Sequence, residues 1–324
     1  MIKYNNIIIV IVIVIILIFS LFYLNIKNCK ENFDINKKTI LITGSTSGIG
    51  LTIANSLEKN RYQIIITGRN KNKIDRIVNN LKKEGIDVYG IKADLSSEID
   101  INNLVKNIID KYGKIDIFIN NMYYLPKIIN FNNLDINNLK NQIKVNFTNN
   151  IILTNHILKY MKKNNNGRII NISSGASDFI NGNNLPQLYI IIKNQIERFT
   201  KLLSMEFYKS NISVTCLKIN DSYLSDTTNR ILKNVDLKSP NELIPIFQYI
   251  LNINKNVING RIINTSSYLN NKNISLLELP FDVNNYYSQE LLLDKNRNFK
   301  DGNNTYKLLI GENFLSVVSN VGAK

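Results

Sequence analysis

The sequence predicts an α/β fold, a doubly wound parallel sheet with helices on both faces. Two patterns and one turn predict it. Short apolar runs alternate with helical patterns from about residue 34 to residue 265, the order of a βαβ chain. The runs are near-continuous, as strands covered on both faces must be. The turn, Thr43-Gly44-Ser45-Thr46-Ser47-Gly48-Ile49-Gly50, joins the first run to the first helix.

The elements follow in order. Thr39-Ile40-Leu41-Ile42 opens a buried strand at 39–43, and Leu51-Thr52-Ile53-Ala54-Asn55-Ser56-Leu57 carries a helix over 50–60. A second strand at 63–67 precedes a helix at 71–84, and strands at 88–93 and 115–120 flank a helix at 99–112. A long helix over 139–163 contains the one histidine, His156, which reads as an ordinary helix residue because no Cys/His cluster of metal-ligand spacing surrounds it. The fifth strand, 167–173, runs into Ser173-Ser174, and the helix at 188–209 carries Tyr189 and Lys193. Strand 213–219, helix 241–253 and strand 260–264 complete the alternation. Beyond about Thr265 the sequence turns Asn-rich, with apolar patches at 306–310 and 314–318. The expected organisation is an anchor and linker at 1–36, the α/β domain at 37–265 and an extension at 266–324.

The net charge of +15 comes from lysines scattered over the whole chain, and roughly one residue in six is asparagine. Scattered charge of this kind is a compositional bias rather than a nucleic-acid surface. The Asn-x-Ser/Thr sequons of so Asn-rich a chain arise by chance. Cys29 and Cys216 are the only cysteines, so no disulfide framework is indicated. Residues 7–24 are almost unbroken Ile, Val, Leu and Phe. As a helix they span about 27 Å, enough for a thin bilayer such as that of the endoplasmic reticulum. A cleaved signal peptide is the rival reading, but no small-residue cleavage site follows Leu24. Lys27, Lys30, Lys37 and Lys38 follow the span and only Lys3 precedes it. The positive-inside tendency then puts the C-terminal part in the cytosol.

Gly44, Gly48 and Gly50 at a strand-to-helix turn let backbone approach a diphosphate closely, and the helix N-terminus adds free N–H groups and partial positive charge. In dinucleotide folds an acid near the end of the second strand binds the ribose hydroxyls of NAD. Residues 64–70 contain no acid. Arg69 stands there instead, and its planar fork suits a 2′-phosphate, so the reading is NADP(H).

Further motifs follow in order. Asp94-Leu95 lies after the third strand and Asn120-Asn121 after the fourth. Asn146 falls in a Val-Asn pair inside the next helix, and Ser174 precedes a Tyr-x-x-x-Lys formed by Tyr189 and Lys193. This ordered set, with the glycine turn, resembles the short-chain dehydrogenase/reductase family over roughly residues 37–265, and implies a Rossmann-like fold. The resemblance implies cofactor contacts from Gly44, Ser47, Gly48, Ile49 and Gly50 of the turn. It adds Arg69, Asp94, Leu95 and Asn121, and then Tyr189 and Lys193. It also implies a catalytic set of Asn146, Ser174, Tyr189 and Lys193.

Tyr189 and Lys193, four residues apart, share one helix face. A nearby ammonium favours a phenolate, so Lys193 is expected to lower the pKa of Tyr189. Tyr189 then exchanges a proton with a carbonyl or alcohol oxygen, and Ser174 hydrogen-bonds the same oxygen. The resemblance adds that Lys193 holds the nicotinamide ribose and Asn146 a relay water. The expected function is an NADP(H)-dependent carbonyl reductase or alcohol dehydrogenase. With an anchor, its substrate is expected to be lipophilic: a steroid, retinoid, sphingoid base or fatty-acyl derivative. Relatives often dimerise or tetramerise, so a second copy is a partner to test.

Two loops depart from the family pattern. Asn120-Asn121-Met122-Tyr123 places tyrosine where the family has glycine, and Asn220-Asp221 replaces a Pro-Gly, with Ser225 near the place of a later threonine. These departures keep a second reading open: a dinucleotide-binding sensor or membrane scaffold with little or no turnover.

Overall fold

A computed structural model describes residues 37–125, 133, 135–178, 187–232, 235–265, 298–301, 304–310 and 315–319. The expected anchor at 7–24 lies outside the described residues. Among those described, no helix is long and apolar enough to cross a membrane.

The apolar runs become parallel strands: β1 Lys38–Ile42, β2 Tyr62–Gly68, β3 Val88–Lys92, β4 Ile117–Asn120, β5 Gly167–Ser174, β6 Ile212–Ile219 and β7 Ile262–Asn264. They form one sheet in the order β3-β2-β1-β4-β5-β6-β7, with every pairing parallel. The order reverses between β1 and β4, and ligands of open α/β sheets bind in the crevice beyond the strand ends at such a switch point.

The helices are α1 Gly48–Ser56, α2 Lys71–Lys83, α3 Glu98–Tyr112, α4 Ile136–Ile143, α5 Asn149–Lys163, α6 Gln187–Glu206, α7 Asp226–Ile231 and α8 Ile244–Asn252. Alternate strand residues point to opposite faces, which splits the core in two. Ile40, Ile42, Ile64 and Ile66 pack with the apolar stripes of α1, α2 and α8. Leu41, Ile65, Phe118 and Val214 pack with those of α3, α5 and α6. A small third cluster, Leu188, Ile192 and Ile196 of α6, takes Tyr123, Leu139 and Phe147 against it.

Three details differ from the sequence expectation. The single helix expected over 139–163 begins at Ile136 and is broken by a π-helical turn, Lys144–Thr148, which holds Asn146. Helix α1 stops at Ser56 rather than 60, because Leu57 turns extended and drops into the core at 5% exposure. Helix α7 was not expected; a capping box between Ser225 and Thr228 starts it. The patch at 306–310, and residues 315–318 of the next one, fall on two strands of a separate antiparallel sheet, β8 Asn298–Asp301, β9 Asn304–Ile310 and β10 Leu315–Ser319.

Candidate active site

The glycine turn is held by polar groups that the sequence reading did not single out. Ser45 Oγ donates to Ile42 O at 2.7 Å and accepts from Thr67 N at 2.9 Å, which ties the end of β1 to β2. Thr43 Oγ1 accepts from Asn121 N and Met122 N, both at 3.1 Å. Gly44 and Gly48 have φ of +63° and +53°, a region that side chains disfavour. Gly50 is fixed by proximity instead, since an added Cβ would lie 2.6 Å from Gly44 O. The N-cap of α1, Ser47, makes no side-chain capping bond. That helix end therefore has N–H groups to offer an anion.

A cleft of about 1070 Å³ runs past Gly44, Ser47, Ile49, Arg69, Asp94 and Leu95, and reaches Ser174, Tyr189 and Lys193. Arg69 is exposed and, among the described residues, has no hydrogen bond or ion pair. Asp94 Oδ1 caps its own turn through Ser96 N at 3.0 Å, and Leu95 O accepts from Asn149 Nδ2 at 2.7 Å. Asn121 also borders the cleft, but its amide braces the glycine turn, donating to Thr43 O at 2.8 Å. The segment after β6 lies over the turn: a Cβ on Gly48 would come within 2.5 Å of Ser225 Cβ. Lys73 pairs with Asp226, and Arg230 donates to Leu125 O at 3.1 Å, so this segment is fastened on two sides.

Asn146 is fully buried and is not among the cleft-lining residues. Its side chain closes a two-bond ring with the main chain of Tyr124: Oδ1 accepts from Tyr124 N at 2.6 Å and Nδ2 donates to Tyr124 O at 2.8 Å. Its own carbonyl accepts from Asn150 Nδ2 at 2.6 Å.

Lys193 is 4% exposed, and its ammonium donates to Ile172 O at 2.8 Å. Burial pulls its pKa down to about 8, against the opposing pull of Cys216 and Glu197. The ring of Tyr123 covers this ammonium at 4.6 Å and meets the ring of Tyr189 edge to face at 4.9 Å between centroids. The expected lowering of the Tyr189 pKa is not found. Burial raises it, with the neighbouring Ser174 hydroxyl opposing the shift. The physical reason is that the phenol has lost its water, while the ammonium meant to help it is turned to Ile172 O and is itself disfavoured by burial.

A second polar cluster stands behind these groups. Glu197 Oε1 accepts from Ser173 Oγ and Ser177 Oγ, each at 2.6 Å, and Glu197 Oε2 meets Lys218. Lys218 also bonds Asp178 Oδ1 at 2.6 Å. Glu197 continues the Tyr189–Lys193 spacing by one more helical turn, the one sequence signal that pointed to it.

The family model described as short chain dehydrogenase matches residues 38–235. The chain belongs to this family. Among curated relatives, 2-dehydro-3-deoxy-D-gluconate 5-dehydrogenase of Formosa agariphila is 30% identical over 183 residues, 56% of this chain and 68% of that protein. A solved actinorhodin polyketide ketoreductase variant with NADPH superposes with a TM-score of 0.66 at 22% identity, covering 74% of this chain and 99% of that one. The 3-ketoacyl-(acyl-carrier-protein) reductase of Brucella melitensis complexed with NADH gives 0.64 at 22% identity, over 71% and 97%. At that identity the two structures show a shared fold.

Short-chain dehydrogenases are oxidoreductases that work with a nicotinamide dinucleotide. The residues present fit its phosphate-bearing end: two glycines at positive φ, a helix end without a side-chain cap and an uncommitted arginine. At the Tyr189 end of the cleft, Tyr123 takes up the space beside Lys193.

Proposed function

We propose that this protein is an NADP(H)-dependent oxidoreductase that interconverts a carbonyl and an alcohol on a lipophilic substrate. One observation carries the reading: Ser174, Tyr189 and Lys193 line the same cleft as the glycine turn. When bound, the dinucleotide supplies or accepts the hydride. Tyr189 gives a proton to the carbonyl oxygen in reduction and takes one from the alcohol in oxidation. Ser174 donates a hydrogen bond to that oxygen and steadies its developing charge. Lys193, on the same helix face as Tyr189, orients the dinucleotide. The free guanidinium of Arg69 on the cleft wall supports NADP(H) over NAD(H). Leu232 and Val235, on the segment after β6, line the cleft and support an apolar substrate. The apolar stretch at 7–24 supports a membrane station with the domain in the cytosol.

The test is NADPH oxidation by the purified chain against a panel of lipophilic ketones, with Tyr189→Phe as control. Turnover that falls by at least about a hundredfold in the variant is expected; equal rates would sink the assignment. The covered Lys193–Tyr189 pair favours one alternative, a dinucleotide-binding sensor, which would bind NADPH without turning over any ketone of the panel. Protease protection of the domain in sealed vesicles would overturn the cytosolic orientation.

A further inference from the structure

Tyr123 is half-buried, yet its hydroxyl is buried outright and makes no hydrogen bond of good geometry among the described residues, because the Asn146 amide beside it is committed to the main chain of Tyr124. Its ring fills one side of the Lys193 ammonium at 4.6 Å, while the Tyr189 ring stands 5.7 Å from the same nitrogen. Of the three ammonium protons, one is taken by Ile172 O and the others have aromatic faces beside them. Lys193 borders the cleft but is only 4% exposed, so a ligand atom that is to hydrogen-bond its ammonium competes with the Tyr123 ring for that place. We propose that Tyr123 is a gate at the catalytic end of the cleft, covering Lys193 and Tyr189 until the nicotinamide end of a dinucleotide displaces it. This rests on the reading of the cleft as a dinucleotide site.

The balance of contacts makes Tyr123 a gate rather than a fixed wall. The cation–π contact and the edge-to-face contact each favour the closed position by on the order of tenfold. The unpaired hydroxyl opposes them by a similar factor. The ring also rests on the small cluster of Leu188, Ile192 and Ile196, apart from the two main cores, so its movement disturbs little else. The next residue, Tyr124, has its main chain held by both atoms of the Asn146 amide, so the movement proposed is that of the Tyr123 side chain.

The experiment titrates the full chain calorimetrically with NADPH and, separately, with adenosine 2′,5′-bisphosphate, which carries the adenosine end and its phosphate but no nicotinamide. In Tyr123→Gly, NADPH is expected to bind roughly tenfold more tightly while the bisphosphate binds as before. Unchanged bisphosphate affinity also certifies that the variant folds. Should glycine open the fold, Tyr123→Leu keeps packing on Leu188 and Ile192 but loses the ring contacts, and the same shift is expected. An unchanged or weaker NADPH affinity beside normal bisphosphate binding would overturn the gate alone. Failure of both ligands to bind the natural chain would overturn the cofactor reading and the gate with it.

Discussion

Glu197 and Lys218 meet at 3.0 Å, one helical turn beyond Lys193, and tie α6 to β6. Both side chains are largely buried, at 13% and 8% exposure. Ser173 and Ser177 hang from the same carboxylate, so the residues on either side of Ser174 are fixed to the helix that carries Tyr189 and Lys193. Glu197→Ala leaves Lys218 with Asp178 alone and takes the acceptor from both serines, and should cost about 1–3 kcal/mol. Urea denaturation measures this. Glu197→Gln, which still accepts from the serines, should cost less; a loss below about 1 kcal/mol in the alanine variant would mean that Asp178 alone satisfies Lys218 and that water reaches the serines.

Arg69→Ala tests the choice of cofactor. A charge-assisted contact to a phosphate accounts for about tenfold or more in affinity. NADPH binding should weaken by that factor while NADH binding stays level. Equal weakening of both would assign Arg69 to the shape of the turn instead of to the 2′-phosphate.

Gly48→Ala should strain the turn and lift the segment above it. The position has φ of +53°, and the new methyl would stand 2.5 Å from Ser225 Cβ. A non-glycine residue in that region costs about 1–2 kcal/mol before the clash is counted. A drop in thermal midpoint together with weaker NADPH binding is expected. An unaltered affinity would show that the segment shifts freely.

The depressed pKa of Lys193 predicts an unusual pH response. Its folded value is about 8 against an ordinary 10.5. Between those values the unfolded chain holds more protons, so stability rises with pH, and the cost of the buried charge is borne in full below pH 8. Lys255 shifts the same way, to about 8, so the two contributions must be separated. Over pH 8 to 10, Lys193→Met should rise in stability less steeply than the natural chain. Parallel curves would show that the ammonium keeps its proton in the fold.

Much of the fold was readable because β1, β2 and β4 are near-continuous apolar runs, β5 and β6 are rich in Ile, Leu and Val, and helical stripes lie between them; both signals are local. What escaped depends on distance or on geometry without a side-chain pattern. The π turn around Asn146 leaves no periodicity to detect. Helix α7, Asp226–Ile231, has six residues and exists through a capping box rather than an apolar face. In the site, the glycine turn, Ser174, Tyr189 and Lys193 were legible as spaced motifs, and the structure brings them to one cleft. The Glu197–Lys218 pair was not, since it joins a helix to a strand. Nor was the seat of Tyr123: the sequence said only that a large ring replaces glycine, and the fold directs that ring onto Lys193.

The strap of chain over the glycine turn, held by Lys73 to Asp226 and by Arg230 to Leu125, has a kinetic consequence. Asp226 and Arg230 also border the cleft, so a dinucleotide seated there as proposed would leave faster once those contacts open. Salt screens exposed ion pairs, so ionic strength would set the residence time without touching the proton transfer at Tyr189. Release, rather than chemistry, would then pace successive turnovers.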